Sequence, residues 1–400
     1  MRIAILTSGI LPVPAVKGGA VENLTDFLLQ YNDRHRLHHI TVYSIANEAT
    51  QGHPALQSQV NRYVYIETKS LWAKIMKRVY KLIYGEGYYH YTIEYYFRKA
   101  WQQLSKHHYD VILLENRPGY ALHIDVPQGT RLFYHLHNDL LNSQTKDCQQ
   151  LYDRASRIIT VSQYIASRVR TINAHDQKCV AILNGIDLQA FSPDIKSQLT
   201  RQQLGLADDD FVMLFSGRVT AEKGVAQLIQ AMIRLCHLPA LRLLIIGSPF
   251  YGDSSNEDHF VRSLKQQAEP VRERIRFTGF IPYSAMPQYL KLADVAVIPS
   301  LWDDPCPTTV LEAQAMALPI ITTRRGGIPE EVTEENAVML ETDESFVDNL
   351  AEAIRDLYQH PEKRQAMSHA SLARAAYFNN ERYAADVFKA LSTSVRDKEC

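Results

Sequence analysis

Short apolar runs recur along the chain, each bounded by glycine, proline or polar residues. They alternate with stretches whose apolar positions return every three or four residues. The runs predict strands at Ile3–Leu6, Ile40–Tyr43, Val111–Leu114, Arg131–Tyr134 and Ile158–Val161. A second set is predicted at Val212–Phe215, Leu241–Ile246, Ile275–Phe277, Val295–Ile298 and Ile320–Thr322. Helical spacing between them predicts Val21–Tyr31, Tyr91–His107, Gln149–Ala155, Val225–Cys236, Met286–Leu292 and Thr309–Ala317. Strands that read as nearly unbroken apolar segments suit parallel sheets covered on both faces. Their alternation with helices predicts an α/β fold with crossover connections.

The alternation runs twice. The first series ends near Asn184–Pro193 (NGIDLQAFSP), and a polar stretch, Asp194–Asp210, precedes the second. The expected division is therefore residues 1–190, then 195–375, with 376–400 as a C-terminal helix packing back toward the N-terminal domain. Two similar domains with a cleft between them is the economical expectation. Ligands then belong outside the carboxyl ends of the strands.

Composition narrows the classes. The chain has 400 residues, of which 46% are apolar and 22% charged, enough to bury large cores. Its 43 Lys and Arg against 44 Asp and Glu give a net charge of −1, which argues against a dedicated nucleic-acid binder. No apolar run approaches the roughly 18 residues of a membrane-spanning helix, and MRIAILTSGI reads as a first strand rather than a secretory leader. Cys148, Cys179, Cys236, Cys306 and Cys400 are scattered without a CxxC pair. That pattern disfavours a zinc site or disulfide framework and fits a reducing cytoplasm.

Five segments fall at or just beyond predicted strand exits. In PAVKGGAVENL, Gly18 and Gly19 open a helix, where backbone can approach an anion or merely turn. In SGRVTAEKG, Arg218 and Lys223 offer a planar fork and a point charge suited to a diphosphate; solvated cations beside a turn are the plainer alternative. In PSLWDDPCPTTVLEAQAMALP, Pro305 and Pro307 keep Asp304 out of the following helix, while Glu312 lies about one turn inside it. Carboxylates there can hold sugar hydroxyls, and the helix-end amides with Thr308 and Thr309 can meet an anion; a loop cap and a surface charge are the alternative. RRGGIPE marks a tight loop with Pro329 at a helix start. In YHLHND, His137 ends a first-domain strand, as a sugar ligand or as a structural histidine.

The order of GG near the start, GR…EKG, a carboxylate separated from Glu312 by seven residues, and GGIPE resembles the retaining glycosyltransferases of family 4. Asn184–Asp187 (NGID) and Val161–Ser162 resemble that family's first-domain ending. The resemblance implies a GT-B fold, two Rossmann-like parallel-sheet domains facing across a cleft, the second holding a nucleotide-sugar and the first an acceptor. By position it assigns Arg218 and Lys223 to the diphosphate, Glu312 to the ribose, Asp304 and His137 to the donor sugar, and Gly19 to a backbone approach to the diphosphate. It sets Phe280 and Ile281 against the base. Two departures stand out: an Asp where the family has its first Glu, and Cys306-Pro307 where it has an aromatic residue and glycine.

The expected reaction is metal-independent, cofactor-free transfer with retention from a nucleoside diphosphate sugar, uridine diphosphate being the common choice in the family. Arg218 and Lys223 would stabilise charge on the leaving diphosphate. The expected acceptor is a glycan or a lipid- or protein-linked glycoconjugate in surface-polysaccharide assembly. An epimerase, or a non-catalytic sugar-binding or structural protein on the same fold, remains the alternative. Residues 69–81 mix Lys69, Lys74, Lys77, Arg78 and Lys81 with Leu71, Trp72, Ile75, Met76, Val79 and Tyr80. Such a helix suits the anionic inner face of the cell membrane, or is simply amphipathic with a solvated basic face. The tyrosines from Tyr84 to Tyr96 would line core or acceptor cleft.

Overall fold

The computed structural model describes residues 1–84, 91–248 and 259–393. It divides into two compact units. One is Met1–Ile182 together with the segment that begins at Tyr383; the other is Leu183–Arg382.

Among the described residues the first unit has seven strands: β1 (Arg2–Leu6), β2 (His39–Ile45), β3 (Asn61–Ile66), β4 (Val111–Glu115), β5 (Arg131–Leu136), β6 (Arg157–Thr160) and β7 (Cys179–Ala181). They pair in the order β3-β2-β1-β4-β5-β6-β7, all parallel. The second unit has six: β8 (Phe211–Ser216), β9 (Leu241–Ile246), β10 (Ile275–Gly279), β11 (Val295–Ile298), β12 (Ile320–Thr323) and β13 (Ala337–Leu340). Their order is β10-β9-β8-β11-β12-β13, again parallel. In each sheet the strand order reverses once, between β1 and β4 and between β8 and β11. Loops leaving the carboxyl ends part there and open a crevice, the usual ligand position in a doubly wound sheet.

Apolar alternation within β8 shows why both faces are covered. Phe211, Met213 and Phe215 pack into one cluster with Leu228, Ile229 and Leu350. Val212 and Leu214 enter another with Val310, Leu311 and Phe378. Each fully buried aliphatic or aromatic side chain contributes about 1.5–3 kcal/mol over exposure.

The observed division differs from the expected one at both crossings. Leu183–Pro193 belongs to the second unit because Ile186 and Phe191 are buried in its core, and Ile186 exchanges backbone hydrogen bonds with Phe378 and Asn380 (2.7 and 3.0 Å). The polar stretch at 194–210 lies inside the unit rather than between units. The chain returns to the first unit at Tyr383 instead of 376. Helix Asn380–Ser392 sends Tyr383, Val387, Phe388 and Leu391 into the first core, where Phe388 stacks on Tyr31 at 5.9 Å. Strands β3, β7 and β13 were not expected from the pattern. All three are sheet edges, where one side meets water and the apolar signal thins.

Two further expectations meet the structure here. Tyr96 is fully buried, its hydroxyl donating to the Tyr43 carbonyl at 2.6 Å, so it is core. Tyr88 and Tyr89, and the side chains of Lys77, Arg78, Tyr80, Lys81, Tyr84 and Tyr91, lie outside the described residues. Among the described residues no helix is long and apolar enough to cross a membrane.

Candidate functional site

The second unit gathers its chemistry at the β8/β11 crevice. After Ser216 the chain turns through Gly217, whose carbonyl lies where a Cβ on Gly247 would fall, 1.8 Å away. A single 3₁₀ turn, Ala221–Lys223, ends at Gly224 (φ 73°). A Cβ at Gly224 would come within 1.9 Å of the Pro299 carbonyl oxygen, so only glycine lets this loop touch the one after β11. The Leu301 amide donates to the Glu222 carbonyl at 2.8 Å and fastens the two loops. A third loop closes over them. The Gly327 amide donates to the Asp304 carbonyl at 2.8 Å, and Gly326 (φ 57°) has no room for a Cβ against the Asp304 backbone (2.2 Å).

These contacts bring Lys223 and Asp304 together. The ammonium donates to a carboxylate that is nearly buried, and the Trp302 ring lies 5.4 Å from Nζ. Ser300 Oγ stands 3.5 Å from the same carboxylate oxygen. Arg218 is more open and faces Glu222 at 3.6 Å. Each expected phosphate-binding cation thus rests on an internal acid, which a bound anion has to displace or share. Asp304 does not project freely from its loop as expected: it is buried, with the Gly326–Gly327 backbone against its own and the Lys223 ammonium on its carboxylate.

Helix Thr308–Ala315 starts directly behind Pro307. Glu312 is buried within it; burial, only partly offset by a hydrogen bond from Thr308, pushes its carboxyl up to about 7. Thr308 and Thr309 are half-buried. Phe280 is exposed beyond the end of β10, whereas Ile281 packs on the core. Cys306 and Glu331 are buried together, the thiol donating to Glu331 Oε1 at 3.3 Å; no sequence motif singled out Glu331. Burial drives the Glu331 carboxyl far above its ordinary range, and the nearby Asp304 charge adds to the effect.

The first unit gathers a second group at the β1/β4 crevice. Gly19 (φ 102°) leads into helix Ala20–His35. A Cβ there would lie 2.3 Å from Glu22 Oε2, so the glycine makes room for a carboxyl of its own helix. Burial raises that carboxyl to about 7, and the charge of Glu115 adds to the rise. Glu115 ends β4, in register with His135 on β5. His137 Nε2 lies 3.0 Å from Glu115 Oε2, and His135 Nδ1 lies 3.2 Å from both carboxylate oxygens. Burial alone would raise Glu115; the two imidazoles outweigh it and bring the carboxyl down to about 2. Burial and the neighbouring His135 lower His137 to about 4, against the pull of Glu115. Asn116 (φ 55°) accepts from the His137 amide at 3.1 Å and fixes the exit of β5.

Sequence reasoning missed Glu115, His135 and Glu22. The signal was there in outline: a carboxylate closing the run VILLE, and an H-x-H at the exit of the next strand. Among the described residues, Glu115, His135 and His137 are the one group of three whose ligand-type atoms converge within 4.8 Å. Motif spacing along the chain cannot register donors arriving from two separate strands.

Comparison with known proteins bears on the family and the fold. The profile described as Glycosyl transferases group 1 matches residues 196–374, and that described as Glycosyltransferase Family 4 matches residues 25–190. YtcC of Bacillus subtilis, itself grouped with the glycosyltransferases, is 31% identical over 349 residues, covering 84% of this chain and 78% of YtcC. Spore coat protein SA of the same species is 26% identical over 387 residues and 94% of each chain. Among solved structures, Anabaena Alr3699/HepE in complex with UDP-glucose superposes with a TM-score of 0.73 at 23% identity, over 98% of this chain and 99% of that one. Two Rossmann-like parallel sheets, loops from three strand exits meeting at Asp304, and the match to YtcC together give the conclusion: the chain belongs to the family 4 (group 1) glycosyltransferases and has the GT-B fold.

Proposed function

We propose that this glycosyltransferase moves a hexosyl group, with retention, from a nucleoside diphosphate sugar to a glycan or a lipid- or protein-linked acceptor in surface-polysaccharide or glycoconjugate assembly. The observation that carries the donor assignment is the Lys223–Asp304 ion pair at the β8/β11 crevice, beside Arg218 and the start of the helix bearing Glu312. The diphosphate binds Lys223 and Arg218 and takes the place that the internal acids now hold. Its developing negative charge is then stabilised by fixed cations and helix-end amides, the role of preorganised donors in transfer chemistry. With side-chain cations in that role, the reaction is metal-independent and needs no cofactor. Asp304, relieved of Lys223, accepts hydrogen bonds from donor-sugar hydroxyls, and Glu312 accepts from the ribose. A uridine diphosphate sugar is the first donor to test, because HepE was solved with UDP-glucose.

The site of action is the inner face of the cell membrane. Helix Leu71–Tyr84 exposes Leu71 (80%), Trp72 (66%), Ile75 (52%) and Val79 (40%), with Lys69 and Lys74 beside them. Such apolar side chains gain by entering the headgroup boundary while lysines meet anionic lipid.

The test is product analysis. The protein is incubated with UDP-glucose, UDP-galactose or UDP-N-acetylglucosamine and a panel of glycan and lipid-linked acceptors. Free UDP released only with acceptor, and a product whose anomeric proton coupling matches the donor's configuration, support the reading. Inverted configuration, or sugar interconversion without transfer, overturns it.

A further inference from the structure

The first unit holds a polar group that the donor chemistry does not use. Glu115, His135 and His137 lie side by side at the exits of β4 and β5, with 1%, 1% and 7% of their side chains exposed. The two imidazole rings have centroids 4.2 Å apart. Both present one nitrogen to the same carboxylate, His137 through Nε2 and His135 through Nδ1. An ionised carboxylate only accepts hydrogen bonds, so each nitrogen facing it carries a proton. In a neutral ring the other nitrogen is then a bare acceptor. For His135 that nitrogen is Nε2, buried without a hydrogen-bond partner, where no ligand reaches it. For His137 it is Nδ1, on the more exposed of the two rings, and no hydrogen bond to it is present among the described residues.

We propose that Glu115 is a positioning residue that locks His137 as its Nε2–H tautomer, so that His137 offers Nδ1 as a hydrogen-bond acceptor to a hydroxyl of an uncharged sugar. The observation behind it is the shared carboxylate: one acid, in register with His135, fixes the proton of both rings. It also sets the charge class of the ligand. Glu115 carries a buried negative charge, and Glu22 lies close enough to feel it. A carboxylate or phosphate at Nδ1 meets a lone pair and like charge, whereas a hydroxyl supplies the missing proton. The sugar's part in transfer rests on the proposed function; the tautomer does not.

Nuclear magnetic resonance of the full-length protein labelled with ¹⁵N-histidine tests this. At neutral pH the wild type is expected to show a pyrrole-like Nε2 and a pyridine-like Nδ1 for His137, and the opposite pattern for His135. Glu115→Gln is expected to give His137 a mixture of tautomers while leaving the affinity for UDP unchanged. Methyl β-glucoside is expected to shift the Nδ1 signal, and glucuronate to leave it in place. A protonated Nδ1 on His137 in the wild type overturns the lock. So does stoichiometric uptake of zinc with loss of both N–H signals, since an ion rather than two protons would then join the three groups. A response to glucuronate, or to neither sugar, overturns the ligand class. Because the wild-type spectrum needs neither donor nor turnover, it stands apart from failure of UDP to bind, which counts against the proposed reaction instead. If Glu115→Gln does not fold, the wild-type tautomer still decides.

Discussion

Lys223 and Asp304, 81 positions apart in sequence, hold one another at the carboxyl edge of the second sheet. In the proposed transfer the two serve opposite ends of the donor, Lys223 as a cation for phosphate and Asp304 as an acid for sugar hydroxyls. Loop contacts at Gly224 and Gly326 that admit no Cβ force them together.

Asp304→Asn separates the two roles. It frees the Lys223 ammonium from a competing carboxylate, so UDP is expected to bind as well as to wild type or up to tenfold tighter. Transfer is expected to fall at least about tenfold, a barrier increase of about 1.4 kcal/mol. Calorimetry with UDP and turnover of the donor sugar read the two effects. Weakened UDP binding in this variant would show that Asp304 supports the phosphate site rather than competing in it.

Glu312 gives a pH signature. Burial raises its carboxyl to about 7 from an ordinary 4.5, so the folded state holds a proton that the unfolded chain releases. The stability it contributes is fully present below pH 4.5 and is lost as pH rises through about 7. Glu22, Asp26 and Glu331 act with the same sign. The comparison is therefore between wild type and Glu312→Gln, whose urea midpoints should diverge, the variant losing less between pH 5 and pH 7. Parallel curves would mean that Glu312 is not protonated in the fold.

The first unit is expected to respond in the other direction. His137 is lowered to about 4 from 6.5, so the stability tied to its neutral form is present above pH 6.5 and is lost as pH falls through 4. Glu115, lowered to about 2 from 4.5, adds stability present above pH 4.5 and lost as pH falls through 2. His137→Gln is expected to flatten the upper part of this acid limb, as read from denaturation midpoints between pH 6.5 and 4. An unchanged limb would place the titration on another group.

The exposed face of helix Leu71–Tyr84 predicts binding to vesicles containing phosphatidylglycerol that weakens with salt. Trp72→Glu puts a charge on that face and is expected to cut co-sedimentation at least fivefold while leaving UDP binding intact. Equal binding to neutral vesicles, or no effect of the substitution, would assign the face to another partner.

Much of this was legible in the chain, and the gaps have physical causes. Central strands such as Leu241–Ile246 and Val295–Ile298 were recovered at their bounds because burial on both faces writes a nearly continuous apolar run, broken only by Arg242 in the first. Edge strand Asn61–Ile66 was not, since Asn61 and Arg62 interrupt its pattern. Arg218, Lys223, Asp304 and Glu312 could be singled out as candidates because proline, glycine and charge cluster at strand exits. Their pairing was not: nothing in SGRVTAEKG shows that Lys223 spends its charge on Asp304. Glu115 went unnoticed for a related reason. Its role depends on register with His135, and parallel register is set by crossovers that local sequence does not record.

The most direct measurement is calorimetric titration of UDP into wild type and Lys223→Ala. The account predicts one site per chain in the wild type and at least about tenfold weaker binding in the variant, near 1.4 kcal/mol. Equal affinity in the two folded proteins, or no UDP binding to the wild type, would contradict it.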